Sequence, residues 1–229
     1  MIARYAGGER GAKSAARAGS LVVVVDAFRA STTIAVLVSK GARVFPVASI
    51  EEAASAGTDF RIGERGSAKV AGFDFGNSPT EILAADIPPG STVALSTTNG
   101  TRVVEAAAGA PAVFAGASVN ATALADALVS DLPGRHITVV GCGWEGHHAS
   151  EDEHAAGAIL DRLRSRGAEL DGRAGRAVGR YLSRSPGELR RNSAARRLER
   201  LGYGRDLDFC LAEDTVPVVP HLVGGVFVG

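Results

Sequence analysis

Leu21 to Val25 is an unbroken apolar run, LVVVV. β-Branched residues without polar alternation predict a strand buried on both faces. From Thr32 to Val38 the apolar positions recur at helical spacing, so this strand should lead through a short loop into a helix. The event repeats along the chain. Arg43 to Val47 reads as a strand, Ile50 to Ala56 as a short helix and Asp59 to Ile62 as a third strand. Thr92 to Ser96, Ala112 to Ala115 and His136 to Gly141 read as further strands, with helices starting near Thr101, Val119 and Ser150. Such alternation predicts βαβ units, hence an α/β fold with a mostly parallel sheet and helices on both faces, three-layered, or divided into two lobes sharing a cleft. Arg162 to Arg205 is rich in Arg and Ala and reads as two or more helices broken at Pro186-Gly187, while Val216 to Val219 and Gly225 to Val228 are expected to add final strands. Residues 1–20 read as a poorly ordered lead-in, which leaves 21–229 as a single domain.

Composition narrows the function classes. A chain of 229 residues, 45% of them apolar, can bury its own core without staples. With 25 basic and 25 acidic residues there is no whole-molecule field to attract nucleic acid or an anionic membrane, so any anion site has to be local. The Arg-rich segment reads as a solvated helical face rather than a basic interaction patch. Cys142 and Cys210 stand far apart and outside any C-x-x-C pattern, which argues against a disulfide scaffold or structural zinc site. The first residues carry no apolar core of a signal peptide, and no apolar run is long enough to span a bilayer. A reducing cytoplasm is the expected setting. Homo-oligomerisation stays open.

Candidate chemistry follows the predicted strands: DAFRAST, GERGSAKVAGFDFGNSP, STTNGT, GASVN and GCGWEG each come directly after one. In a parallel sheet such loops share the carboxyl edge, where open α/β folds place their ligand crevice. Asp26 closes the first strand, Arg29 lies in the loop, and Ser31, Thr32 and Thr33 begin the helix, a set suited to an oxyanion. The plainer alternative is a capped turn. Glu64, Arg65, Lys69, Asp74, Asn77 and Ser78 follow among glycines, and two acids here plus Asp26 supply the hard oxygens magnesium prefers. An ordinary solvated loop with Asx turns is the alternative. Thr97, Thr98, Asn99, Gly100 and Thr101 form a hydroxyl-rich link between strand and helix, read as an oxyanion cradle rather than a hairpin. Gly141-x-Gly143-x-x-Gly146 matches a dinucleotide fingerprint only formally, since no second strand ending in an acid follows. His147, Glu151 and His154 have the spacing of one helical face and so raise zinc, against magnesium or simple helix capping by Glu151 and Asp152.

Taken together, VVVVDAFRASTTI, IGERGSAKVAGFDFGNSPTE, STTNGTR, GASVNATA, SEDEHAAGAI and GYGRDLDFCL resemble the successive motifs of the 2-phosphosulfolactate phosphatase family, in order and spacing, from about Leu21 to the C-terminus. The chain departs from the family pattern at Phe28, where an aliphatic residue is commoner, and at His147 and His148 before the acidic pair. The resemblance implies a magnesium-dependent phosphoric monoester hydrolase that converts 2-phospho-3-sulfolactate, or a related 2-hydroxyacid phosphate, to sulfolactate and phosphate, a step in one route to coenzyme M. On this reading the catalytic residues are Asp26, Arg29, Glu64 and Asp74. Magnesium is expected on Asp26, Glu64 and Asp74, with Glu151 or Asp152. The small acidic ester is expected on Arg29, Ser31, Thr32, Arg65, Asn77, Ser78 and Thr97 to Thr101. A non-catalytic anion-binding or regulatory protein is the rival from another class; a nucleotide-dependent enzyme built on Gly141 to Gly146 is a second.

Overall fold

The computed structural model describes residues 1–132 and 134–229. The strands are β1 (Ile2–Gly7), β2 (Leu21–Val25), β3 (Arg43–Pro46), β4 (Phe60–Arg65), β5 (Ala68–Lys69), β6 (Thr92–Ser96), β7 (Val113–Ala115), β8 (Ile137–Gly141), β9 (Glu169–Leu170), β10 (His221–Val223) and β11 (Val226–Val228). The helices are α1 (Gly8–Arg17), α2 (Ala30–Ser39), α3 (Ile50–Ser55), α4 (Pro79–Ala84), α5 (Gly100–Ala106), α6 (Ala121–Ser130), α7 (Ser150–Ser165), α8 (Gly172–Ser183), α9 (Pro186–Leu189), α10 (Ser193–Arg200) and α11 (Gly204–Leu211).

All strands join one 11-stranded sheet in the order β5-β4-β6-β3-β11-β10-β7-β2-β8-β1-β9. It contains two parallel blocks, β7-β2-β8-β1-β9 and β4-β6-β3. The C-terminal hairpin β10–β11 stitches them together through antiparallel pairs on both sides. Alternation along β2 explains the layers: Val22 and Val24 enter one core with α1, α2 and α5, whereas Leu21, Val23 and Val25 enter the other with α6, α7 and α8. Gly157 lets α7 and α8 approach closely, since a Cβ there would lie 2.6 Å from the Ala177 carbonyl oxygen.

Three antiparallel pairings in succession invert the strand sense between the blocks, yet the loops after β2 and β6 meet: a Cβ on Gly100 would lie 3.0 Å from Asp26 Oδ2. The sheet therefore curls at the hairpin. What it curls around is α2, buried at every position from Ala30 to Val38, with the Ser31 and Thr32 hydroxyls of its first turn satisfied by the Val24 and Ala27 carbonyls. The largest core takes Val22, Val24 and Ala115 from one block and Val44, Ile62, Val93 and Leu95 from the other. The sheet is thus continuous and its core shared, without the two lobes offered as an alternative.

The sequence expectation fails at the N-terminus. Residues 1–20 are not a loose lead-in: β1 pairs with β8 over Ala3 to Gly7, and α1 buries Ala12 and Ala15. The segment is too rich in Gly, Ala and Arg to show an apolar period, and its order comes from pairing with a strand far along the chain. Val216 to Val219 likewise forms no strand; the final pairing lies at β10 and β11. No helix among the described residues is long and apolar enough to cross a membrane.

Candidate active site

Asp26, Phe28, Arg29, Glu64, Ser67, Asn77, Asn99, Gly143, Trp144, Glu151, Asp152, Ala194 and Arg197 line one small polar pocket, with room for about 20 Å³ of solvent. Asp26 stands at the end of β2, its backbone amide fixed by the Ser31 hydroxyl at 2.9 Å. Its Oδ1 receives only a long contact of 3.4 Å from the Ala30 amide. Burial, then the neighbouring Glu64 carboxylate, pushes the Asp26 carboxyl up to about 7.

Glu64 is held differently. Its two oxygens accept the Thr98 and Ser67 amides, each at 2.7 Å, which fixes the orientation of the carboxylate. Glu151 opens α7 and accepts the Asn192 side-chain amide at 2.7 Å; burial raises its proton affinity. Asp152 beside it is a brace. Each of its oxygens accepts a backbone amide at 2.8 Å, from Ala27 and from Gly143, tying the loops after β2 and β8 together.

Arg29 reaches the pocket wall but is fully engaged. It donates to Asp206 at 2.9 Å and to the Ser67 carbonyl at 2.7 Å, and its guanidinium lies 4.2 Å from the centre of the Tyr203 ring. Asp206 also accepts the Ser78 and Thr80 hydroxyls. Asn77 lines the pocket with a buried Oδ1 that has no hydrogen-bond partner among the described residues, and neither have the buried hydroxyls of Thr97 and Thr98. Asn99 accepts the Glu145 amide at 3.2 Å, and Gly100 provides the space beside Asp26.

Several expected residues serve the frame instead. Asp74 does not join Asp26 and Glu64: it is 38% exposed, accepts the Arg61 amide at 2.8 Å and pairs with the Arg61 guanidinium at 3.6 Å. The turn after β5 points it back along β4. Ser31 and Thr32 hydroxyls donate to the Val24 and Ala27 carbonyls, Arg65 donates to Ser96 and the Glu64 carbonyl, and Thr101 donates to the Thr97 carbonyl. The zinc arrangement does not form, because His147 lies in a turn before α7 and His154 packs edge-on against Tyr181 at 5.1 Å. The dinucleotide fingerprint also lacks its context: after β8 the chain makes a tight Trp144–His147 hairpin, and α7 begins only at Ser150.

Sequence reasoning missed Ser67, Trp144, Arg197 and Asp206. Asp206 sits in the motif GYGRDLDFCL and Arg197 in the Arg-rich segment that reads as a solvated helical face, and neither carries a local sign of its contacts.

Among the described residues, no three acidic, histidine or cysteine side chains converge tightly enough to hold a metal ion by themselves. The donor chemistry still suits magnesium, which commonly takes one or two carboxylates and completes its shell with water and substrate phosphate. Asp26 is weakly bonded, Glu64 is pre-oriented, and the Asn77 oxygen, without a partner among the described residues, belongs to a residue lining the same pocket.

The comparisons with known proteins agree on one family. The model of the 2-phosphosulpholactate phosphatase family matches residues 9–225. A Thermotoga petrophila protein named probable 2-phosphosulfolactate phosphatase is 38% identical over 210 residues, covering 90% of each chain. One of the same name from Synechococcus sp. strain RCC307 is 39% identical over 215 residues, covering 86% of this chain and 87% of the relative. The chain therefore belongs to the 2-phosphosulfolactate phosphatase family.

Proposed function

We propose that this protein hydrolyses the phosphate monoester of a small 2-hydroxy acid, 2-phospho-3-sulfolactate first among them, to the alcohol and inorganic phosphate with magnesium as cofactor. The observation that carries the reading is the gathering of Asp26, Glu64 and Glu151 in the lining of a pocket that also presents Arg197. A pocket that only bound anions would gain nothing from carboxylates beside the anion; a hydrolase whose cation sits between acids and phosphate requires them.

Asp26 and Glu64, with Glu151 behind them, would hold the ion. Bound there, it would supply positive charge to the phosphoryl oxygens. Asp152 fixes the spacing between the β2 and β8 loops by its two amide contacts, so the acids hold their positions as the site fills. Asn77 and Asn99 offer polar groups to the ester. A cytoplasmic setting belongs to the same reading, supported by two buried, unpaired cysteines.

The test is phosphate release from 2-phosphosulfolactate, phospholactate and phosphoglycolate, each with magnesium, zinc or a chelator. Magnesium-dependent release, strongest with the sulfonated ester, is expected. Absence of release from folded protein under every condition contradicts the reading.

A further inference from the structure

Two arginines line the pocket, and they differ in what they have left to offer. Arg29 is 1% exposed and its charge is matched by Asp206. Arg197, on α10, uses only Nε, which donates to the Ser67 hydroxyl at 3.0 Å. Its two terminal nitrogens have no hydrogen-bond partner among the described residues, and its guanidinium carbon lies 3.7 Å from the centre of the Trp144 ring. Indole face and serine hydroxyl thus orient this cation, and although the Glu151 carboxylate feels its charge, no carboxylate bonds its terminal nitrogens directly, which leaves the planar fork open to an oxyanion.

The enclosed part of the pocket is small, about 20 Å³, and the remaining space is open to solvent. α10 lines one side of this space and is held there by Arg197 on Trp144 and Ser67 and by Asn192 on Glu151. Beneath it lies a small separate apolar cluster of Ala195, Leu198 and Leu207 with Phe28 and Tyr203. Contacts this few open more readily than the main core.

We propose that Arg197 is the residue that grips an oxyanion of the substrate, leaving its stacked position on Trp144 as the ester enters. This rests on the phosphatase reading for the identity of the ester, and is tested separately from it. Trp144 is the chain's single tryptophan, so its emission reports the stack directly.

Wild type, Arg197→Met and Arg197→Lys are titrated with 2-phosphosulfolactate under magnesium-free conditions and with inorganic phosphate under magnesium, following tryptophan fluorescence. KM and kcat are then measured with magnesium for the sulfonated ester and for para-nitrophenyl phosphate. The expected result is a saturable emission change in wild type, lost in Arg197→Met, with KM raised roughly 10- to 100-fold, the range of a charge-assisted contact. Arg197→Lys should fall between, and the melting temperature should stay near that of wild type. A KM rise for both esters assigns the grip to the phosphoryl group; a rise for the sulfonated ester alone assigns it to the second acid group. Unchanged KM in folded Arg197→Met, or wild-type emission that ignores every ligand, overturns the inference. Failure of the phosphatase reading shows separately, as no phosphate release by wild type.

Discussion

Arg29 and Asp206, 177 positions apart in the chain, pair at 2.9 Å with both side chains only 1% exposed. The pair joins the β2 loop to α11, and through the Ser78 and Thr80 hydroxyls on Asp206 it also fixes the start of α4. It is a structural clamp behind the pocket. Asp206→Ala should cost about 3–5 kcal/mol, because it leaves a buried guanidinium unpaired. Arg29→Met should cost a similar amount and the double variant less than the sum. Denaturant midpoints at constant slope measure this, and a loss below about 1 kcal/mol for Asp206→Ala contradicts the clamp.

Ser67 has a backbone φ of 72°, rare outside glycine. Its amide holds Glu64, its carbonyl holds Arg29 and its hydroxyl holds Arg197. Ser67→Gly keeps the backbone contacts, so its stability should stay within about 1 kcal/mol of wild type. Ser67→Val places a branched side chain in the left-handed region and should cost about 1–2 kcal/mol or more. Equal stability of the two variants would remove the constraint assigned to this position.

Asp26 holds its proton more tightly folded than unfolded, pushed up to about 7 from 3.8. Its stabilising contribution in metal-free protein is therefore complete below pH 4 and lost as pH rises through about 7. In chelator at pH 8, Asp26→Asn should be more stable than wild type by about 1–3 kcal/mol, with the difference shrinking at pH 5. By the same proton competition, magnesium affinity should rise with pH up to about 7. Thermal melts at the two pH values check the sign; a less stable Asp26→Asn at pH 8 contradicts it.

Asp74 makes a half-exposed contact with Arg61 outside the acid pocket. Asp74→Asn should lower kcat/KM by less than about threefold and stability by less than about 1 kcal/mol. A hundredfold loss of turnover would return Asp74 to the reaction.

Strands with a strong local signal were legible: β2 and β6 fall where LVVVV and TVALS predict them, and α7 begins at Ser150. Family membership was legible too, because the motifs keep their order. What the sequence could not show was long-range. β1 exists by pairing with β8, and the convergence of loops comes from a sheet curled by the C-terminal hairpin rather than from one flat parallel edge. For the same reason residue type mispredicted Asp74, whose carboxylate turns back to Arg61 on β4, and overlooked Arg197, whose pocket contacts lie 53 and 130 positions away in sequence, at Trp144 and Ser67. An arginine on a charged helix carries no local sign of the surface it will face.

The proposed function puts Asp26 and its acidic neighbours at the centre of a magnesium-dependent phosphatase. Its most direct test is phosphate release from 2-phosphosulfolactate by wild type and Asp26→Asn side by side, each with magnesium and with chelator. Release by wild type with magnesium only, and none by folded Asp26→Asn, is the predicted result. Comparable release by Asp26→Asn, or equal release in chelator, would contradict it.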